Sequence, residues 1–163
     1  MQQPKSVSIS SQFEVYEDIS SLSEADKKLM LLAIEARKNA YAPYSNFLVG
    51  ASILLDNGEV IKGNNQENAA YPSGLCAERI ALFYAGANFP NSKILKIAVT
   101  ASSSQQITKE PIPPCGACRQ SISEYEIKQN QPIEILFMGA KGKVVKSTSL
   151  SNLLPFAFDK SML

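Results

Sequence analysis

Two short clusters in this chain carry residue types suited to metal chemistry. Cys76-Ala77-Glu78 is followed, with 38 residues between Cys76 and Cys115, by Pro114-Cys115-Gly116-Ala117-Cys118. Three thiolates can occupy three corners of a tetrahedral Zn2+ and leave the fourth for water, the pattern of a catalytic site. A structural site would close with a fourth Cys or His, and the chain has three cysteines and no histidine. Glu78, two residues past Cys76, reaches the open position without being a ligand, and a carboxylate there can take a proton from activated water and return it elsewhere. The missing histidines also exclude Ser-His and Cys-His nucleophile pairs.

Those residues need elements to bring them together. Both clusters sit where helices are expected to begin, and a helix N-terminus lowers the pKa of a thiol through its free N–H groups and dipole. One helix is expected from near Cys76 to about Ala87, another from near Cys115 to about Lys128. A preceding helix is predicted from a cap at Ser23 to near Asn39, with Leu29, Leu32, Ala33 and Ala36 at helical spacing. Residues 49–55 and 60–64 flank Asp56-Asn57-Gly58 as a hairpin. Strands are expected over 94–100, 133–138 and 144–147, and a short last helix over 150–154 before Pro155. The order of elements implies an α/β fold, helices packed over a mixed sheet of about five strands. Residues 1–20, rich in Ser and Gln, read as a flexible N-terminal extension, and residues 21–163 as a single domain.

Composition narrows the class of function. A chain of 163 residues with 45% hydrophobic and 19% charged residues is ordinary globular protein. A net charge of +1 gives no sign of a nucleic-acid surface. No apolar run reaches membrane-spanning length, and the polar start lacks a secretory pattern, so the expected location is cytoplasmic. Three cysteines cannot all pair within one chain, which favours metal use over a disulfide framework.

Taken singly, neither cluster is specific. A lone C-x-x-C is often a structural zinc or redox pair, and a lone Cys-Ala-Glu means almost nothing. The redox reading lacks a thioredoxin-like strand context. Jointly, three Cys ligands, a non-ligand Glu and the preceding Pro114 form the signature of zinc deaminases, in the variant with Cys in place of the usual His.

On these residues the sequence resembles the small, homotetrameric cytidine deaminases. The matching stretches are Tyr44-Ser45-Asn46-Phe47-Leu48-Val49-Gly50-Ala51, Gly63-Asn64-Asn65-Gln66-Glu67-Asn68-Ala69-Ala70-Tyr71, Gly74-Leu75-Cys76-Ala77-Glu78-Arg79, Pro114-Cys115-Gly116-Ala117-Cys118-Arg119-Gln120, and Leu153-Leu154-Pro155 followed by Phe158. They run from about Leu22 to Phe158 in the family's order. Leu48 departs from the pattern where many relatives carry proline, and the first twenty residues exceed the usual start.

The resemblance implies a three-layer α-β-α sandwich and hydrolytic deamination of cytidine or deoxycytidine to uridine or deoxyuridine, in pyrimidine salvage. It implies one Zn2+ per chain on Cys76, Cys115 and Cys118, with Glu78 as the catalytic proton carrier. Asn65 and Glu67 would grip the ribose, Phe47 would pack along the nucleoside, and the Ala77 N–H would meet the base carbonyl. Arg79 would hydrogen-bond a ligand sulfur; three thiolates leave the site at −1, and a neighbouring cation restores the metal's acidity. Tyr71 and Phe158 would belong to subunit contacts, Phe158 stacking on the base in a neighbour's site of a homotetramer.

Taken alone, several of these have plainer readings: Asn65 and Glu67 as polar residues on a strand edge, Phe47 as a core aromatic, Arg79 as a solvated helix arginine, Phe158 as an anchor for the C-terminus. Three other functions compete. A deaminase of modified or antibiotic nucleosides, such as the blasticidin type, would share the zinc site but not the Asn65–Glu67 grip. A nucleic-acid editing deaminase is disfavoured by the near-neutral charge and few spare aromatics. A non-enzymatic zinc module would not need Glu78.

Overall fold

The computed structural model describes residues 3–163; Met1 and Gln2, the start of the expected extension, lie outside them. Ser23 opens the first helix, α1 (Glu24–Arg37), its hydroxyl accepting from the Asp26 N–H at 3.2 Å. That bond satisfies one of the free donors of a helix start. Leu29, Met30, Ala33 and Ala36 form the buried stripe of α1. The chain then enters β2 (Phe47–Leu55) and returns antiparallel along β3 (Val60–Asn64). The turn between them needs Gly58, whose φ of +87° is a backbone state that side chains rarely allow.

Cys76 and Cys115 are the N-caps of α2 (Ala77–Asn88) and α3 (Gly116–Gln129), as the thiol positions predict. Between the helices runs β4 (Ile94–Ser103), and after them come β5 (Glu134–Met138) and β6 (Val144–Ser147). Asn130, with φ of 49°, ends α3 in the left-handed state that releases a chain from a helix.

A sixth strand exceeds the expected count of about five. It is β1 (Glu14–Tyr16), drawn from the segment read as an extension, and it pairs antiparallel with β6. Its pairing partner lies at the far end of the chain, so local periodicity carries no trace of it. The sheet order is β1-β6-β5-β4-β2-β3, with β4 and β5 parallel and every other pair antiparallel. The predicted last helix is a single 3-10 turn, Leu150–Asn152, cut short ahead of Pro155.

Alternation along the central strands sends side chains to two layers. Ile97, Val99, Ile135 and Phe137 pack with Ala81, Leu82, Ala85 and Ile122 of α2 and α3. Ala98, Leu136, Met138 and Val144 pack with Leu29, Met30 and Ala33 of α1. The result is the expected α-β-α sandwich. Each fully buried large aliphatic side chain contributes about 1.5–3 kcal/mol, and Met30, Ile53, Leu82, Ile97 and Ile135 are among them.

Candidate active site

The metal cluster is built where two helix starts meet at one edge of the sandwich. Gly63 on β3 allows the first approach. A methyl group there would lie 2.8 Å from the Ala81 amide nitrogen and against the Ala77 carbonyl, so only glycine lets the start of α2 settle on the strand. A short ladder then registers the chain ahead of Cys76. Gln66 and Leu75 exchange N–H···O bonds of 3.0 Å each. On the other side of this segment the Tyr41 N–H reaches the Asn65 carbonyl at 3.0 Å, and the Glu67 N–H reaches the Tyr41 carbonyl at 2.9 Å. Asn65, Glu67 and the approach to Cys76 are therefore held in one frame.

The three sulfurs converge, all within 4.8 Å of one another. Thiolates at about 2.3 Å from a tetrahedral zinc stand roughly 3.8 Å apart. Here Cys76 and Cys115 are separated by 3.9 Å, and Cys115 and Cys118 by 3.5 Å. The donor set and its spacing fit Zn2+, with Cys118 fully buried and Cys115 exposed. Hydrogen bonding to Cys118, seconded by Arg79 and Cys115, outweighs burial and pulls the Cys76 thiol down to about 5. The same contact to Cys76 raises Cys118.

Arg79 stands beside the Cys76 sulfur. Its Nη2 donates to Cys76 Sγ at 3.7 Å, and its Nε is buried without a partner among the described residues. A guanidinium placed on a sulfur rather than in solvent suits a thiolate-rich metal set, whose excess charge it offsets. Glu78, in the first turn of α2, is 4% exposed, and burial pushes its carboxyl above the ordinary carboxylate range. A raised carboxyl holds a proton more readily near neutrality, which suits a group that must both take and give one.

A cavity of about 750 Å³ opens onto the cluster. Phe47, Asn65, Glu67, Tyr71, Cys76, Glu78, Arg79 and Cys115 all line it. Ala77 and Phe158 do not: Ala77 is wholly buried, and Phe158 is 57% exposed elsewhere on this chain. Asn65 is already engaged, its Oδ1 accepting from Val49 N–H at 2.8 Å and its Nδ2 donating to the Phe47 carbonyl at 2.9 Å. Glu67 accepts from the Tyr44 N–H at 2.9 Å, the Ser45 N–H at 3.3 Å and the Ser45 hydroxyl. The Ser45 hydroxyl and the two N–H groups hold its carboxyl below the usual range, so it stays ionised.

Tyr44, Ser45, Ile112 and Pro113 also line the cavity. Tyr44 and Ser45 stood within a matched motif but gave no sign of their part, because their partner Glu67 lies 22–23 residues away. Ile112 and Pro113 carried no signal beyond their place ahead of Cys115.

Residues 23–131 match the family model described as the cytidine and deoxycytidylate deaminase zinc-binding region. The cytidine deaminase of Halalkalibacterium halodurans is 41% identical over 134 residues, 82% of this chain and 94% of that one. That of Sporosarcina psychrophila is 39% identical over 137 residues, 84% of this chain and 93% of its own. The crystal structure of cytidine deaminase from Burkholderia pseudomallei superposes with a TM-score of 0.69 at 39% identity, covering 84% of this chain and all of that one.

Proposed function

The chain belongs to the cytidine and deoxycytidylate deaminase family, and from that premise we propose that it hydrolyses cytidine or deoxycytidine to uridine or deoxyuridine with release of ammonia. The observation that carries this reading is the buried Glu78 carboxyl sharing one cavity with the cysteine cluster. Zinc, when bound by Cys76, Cys115 and Cys118, supplies a water acidic enough to be a nucleophile near neutral pH.

The chain's own residues do the rest. Glu78 takes a proton from the attacking water and gives it to N3 of the pyrimidine. It then carries the second proton to the amino group on C4, which leaves as ammonia. Arg79 donates to the Cys76 sulfur and offsets part of the charge of a three-thiolate set. Ala77 lies outside the cavity lining of the single chain but between Cys76 and Glu78, which both line it. Its N–H at the start of α2 would therefore serve the base carbonyl oxygen once substrate displaces what covers it. Glu67, ionised and held by three donors, offers its remaining lone pairs to the ribose hydroxyls, and Asn65 sets the depth of the pocket by tying down Phe47 and Val49.

The same reading makes the protein a cytoplasmic homotetramer of the pyrimidine salvage route, with one zinc per chain and a free nucleoside as substrate. Large aromatic groups support self-association: Phe83, Tyr84, Tyr71, Phe156 and Phe158 are 42–85% exposed. A surface so rich in apolar rings points to a partner chain. A neighbour's Phe158 would then complete a site that its own chain leaves open. No helix among the described residues is long and apolar enough to cross a membrane. Residues 3–13 precede the sheet, and residues 14–16 of the segment read as an extension join it as β1.

The test is the fall in ultraviolet absorbance when zinc-replete protein meets cytidine, with Glu78→Gln alongside. Loss of turnover by about 10²–10⁴-fold in the variant, with one zinc still bound, is the expected result. Wild-type protein inert toward both cytidine and deoxycytidine would overturn the reading in favour of a modified-nucleoside deaminase or a non-enzymatic zinc module.

A further inference from the structure

One side chain beside the metal loop takes no part in the chemistry above and yet ties two distant segments together. Arg119 follows Cys118 on α3. Its Nε donates to the Pro114 carbonyl at 2.8 Å, and its Nη1 donates to the Leu153 carbonyl at 3.0 Å, 34 residues further on. Gln120, next in sequence, donates its Nε2 to the Phe158 carbonyl at 2.8 Å. The rigid fork of a guanidinium fixes two acceptors relative to each other, which a lysine ammonium does not.

The Pro114 carbonyl belongs to the peptide that enters Cys115. Cys115 caps α3 with extended backbone (φ −66°, ψ 167°) and is the exposed member of the three cysteines. Its sulfur meets Cys76 and Cys118 at 3.9 and 3.5 Å, and holding it there depends on the backbone that leads into it. Arg119 anchors that backbone. At its other end it anchors Leu153, which packs against the core beneath α2 and α3, and from there the chain runs to the exposed Phe156 and Phe158.

We propose that Arg119 is a positioning residue that couples retention of zinc at Cys115 to docking of the C-terminal segment 153–158. Zinc requires the Cys115 loop in place, and the loop and the segment share one clamp. By linkage, zinc then orders the segment, and the docked segment in turn tightens zinc binding. The proposal rests on the metal reading and not on the choice of substrate.

The experiment uses full-length, zinc-loaded protein in wild-type, Arg119→Gln, Arg119→Lys and Gln120→Ala forms. Zinc release to a chromogenic chelator is timed, and backbone hydrogen exchange over 153–158 is followed with and without zinc. Arg119→Gln should weaken zinc binding about 10- to 100-fold, the usual effect of losing a group that orients a ligand, and most of that loss should be read as faster release. It should also abolish the dependence of exchange in 153–158 on zinc, a readout that a general loss of stability does not move. Arg119→Lys, which keeps the charge and can serve one carbonyl, should fall between. Gln120→Ala, which loosens the segment at Phe158 but leaves both Arg119 bonds in place, should speed zinc release less than Arg119→Gln does. Wild-type release rates in both Arg119 variants, or exchange in wild-type 153–158 that is indifferent to zinc, would overturn the coupling. Turnover is not read, so an inert enzyme leaves the proposal standing, whereas a wild-type chain that takes up no zinc overturns it.

Discussion

At the scale of single residues, the cavity divides its carboxylates by environment. Glu78 is buried and its carboxyl is raised by desolvation, whereas Glu67 accepts from Ser45 and from two backbone N–H groups and is lowered. One is suited to carrying protons, the other to remaining a fixed charge. Glu67→Gln should therefore act on binding. The amide would turn an N–H group toward donors already aimed at the carboxylate, or lose an acceptor to avoid it. A hydrogen bond to a charged group is worth about 1.5–3 kcal/mol, so kcat/KM for cytidine should fall about 10- to 100-fold, mostly through KM. Steady-state kinetics on the zinc-loaded variant checks this, and a fall confined to kcat would remove Glu67 from the sugar grip.

At the scale of elements, α2 owes its position to one absent side chain. Gly63 faces the Ala77 carbonyl and lies where a methyl group would come within 2.8 Å of the Ala81 nitrogen. Those contacts are backbone, and backbone cannot rotate away. Gly63→Ala should force α2 off β3 and cost about 1–3 kcal/mol, as overpacking does, lowering the urea midpoint. The displaced helix start carries Cys76 and Glu78, so the same variant should hold zinc less tightly. An unchanged midpoint would show that α2 relaxes freely there. The hairpin glycine, Gly58, works differently: space is open around it, and its positive φ is what a side chain would strain.

Across the whole molecule, α1 is pinned to the sheet by a network of four charges. Asp26 of α1 meets Lys96 of β4 at 2.7 Å and Lys146 of β6 at 3.0 Å, and both lysines meet Glu134 of β5 at 3.0 Å. Burial would raise the Asp26 and Glu134 carboxyls, but the two ammoniums outweigh it and hold both below the usual range. Both lysines are raised, again against burial. A lowered carboxyl contributes stability that is present above its unfolded pKa, about 4 here, and lost as pH falls through the folded value. A raised lysine contributes stability that is complete below its unfolded pKa, about 10.4, and lost as pH rises through the folded value. The urea midpoint should thus be flat between about pH 5 and 9 as far as this network governs it, and drop in acid below pH 4. Asp26→Asn should remove about 3 kcal/mol near neutrality by leaving two lysines half-buried against one carboxylate, and should flatten the acid limb. An acid limb identical to wild type would place the acid-labile groups elsewhere.

The cysteines that the fold gathers into one cluster were legible in the chain alone, because three cysteines and no histidine leave no other soft donor set. So were the helix starts at Cys76 and Cys115 and the hairpin around Gly58, since caps, turn glycines and hydrophobic period are local signals read along a few residues. Tertiary structure decided what depends on segments meeting across the fold. The strand Glu14–Tyr16 exists through its pairing with β6, and its three residues carry no periodicity of their own. Asn65 spends its amide on Phe47 and Val49, and Glu67 is held by Tyr44 and Ser45, partners that strand spacing could not name. Asp26 reads along the chain as a helix-start acid, yet in the fold it is 3% exposed between two lysines 70 and 120 residues away. Local sequence encodes the conformations a segment prefers; only the closing of the sandwich determines which charges, carbonyls and sulfurs come within bonding distance.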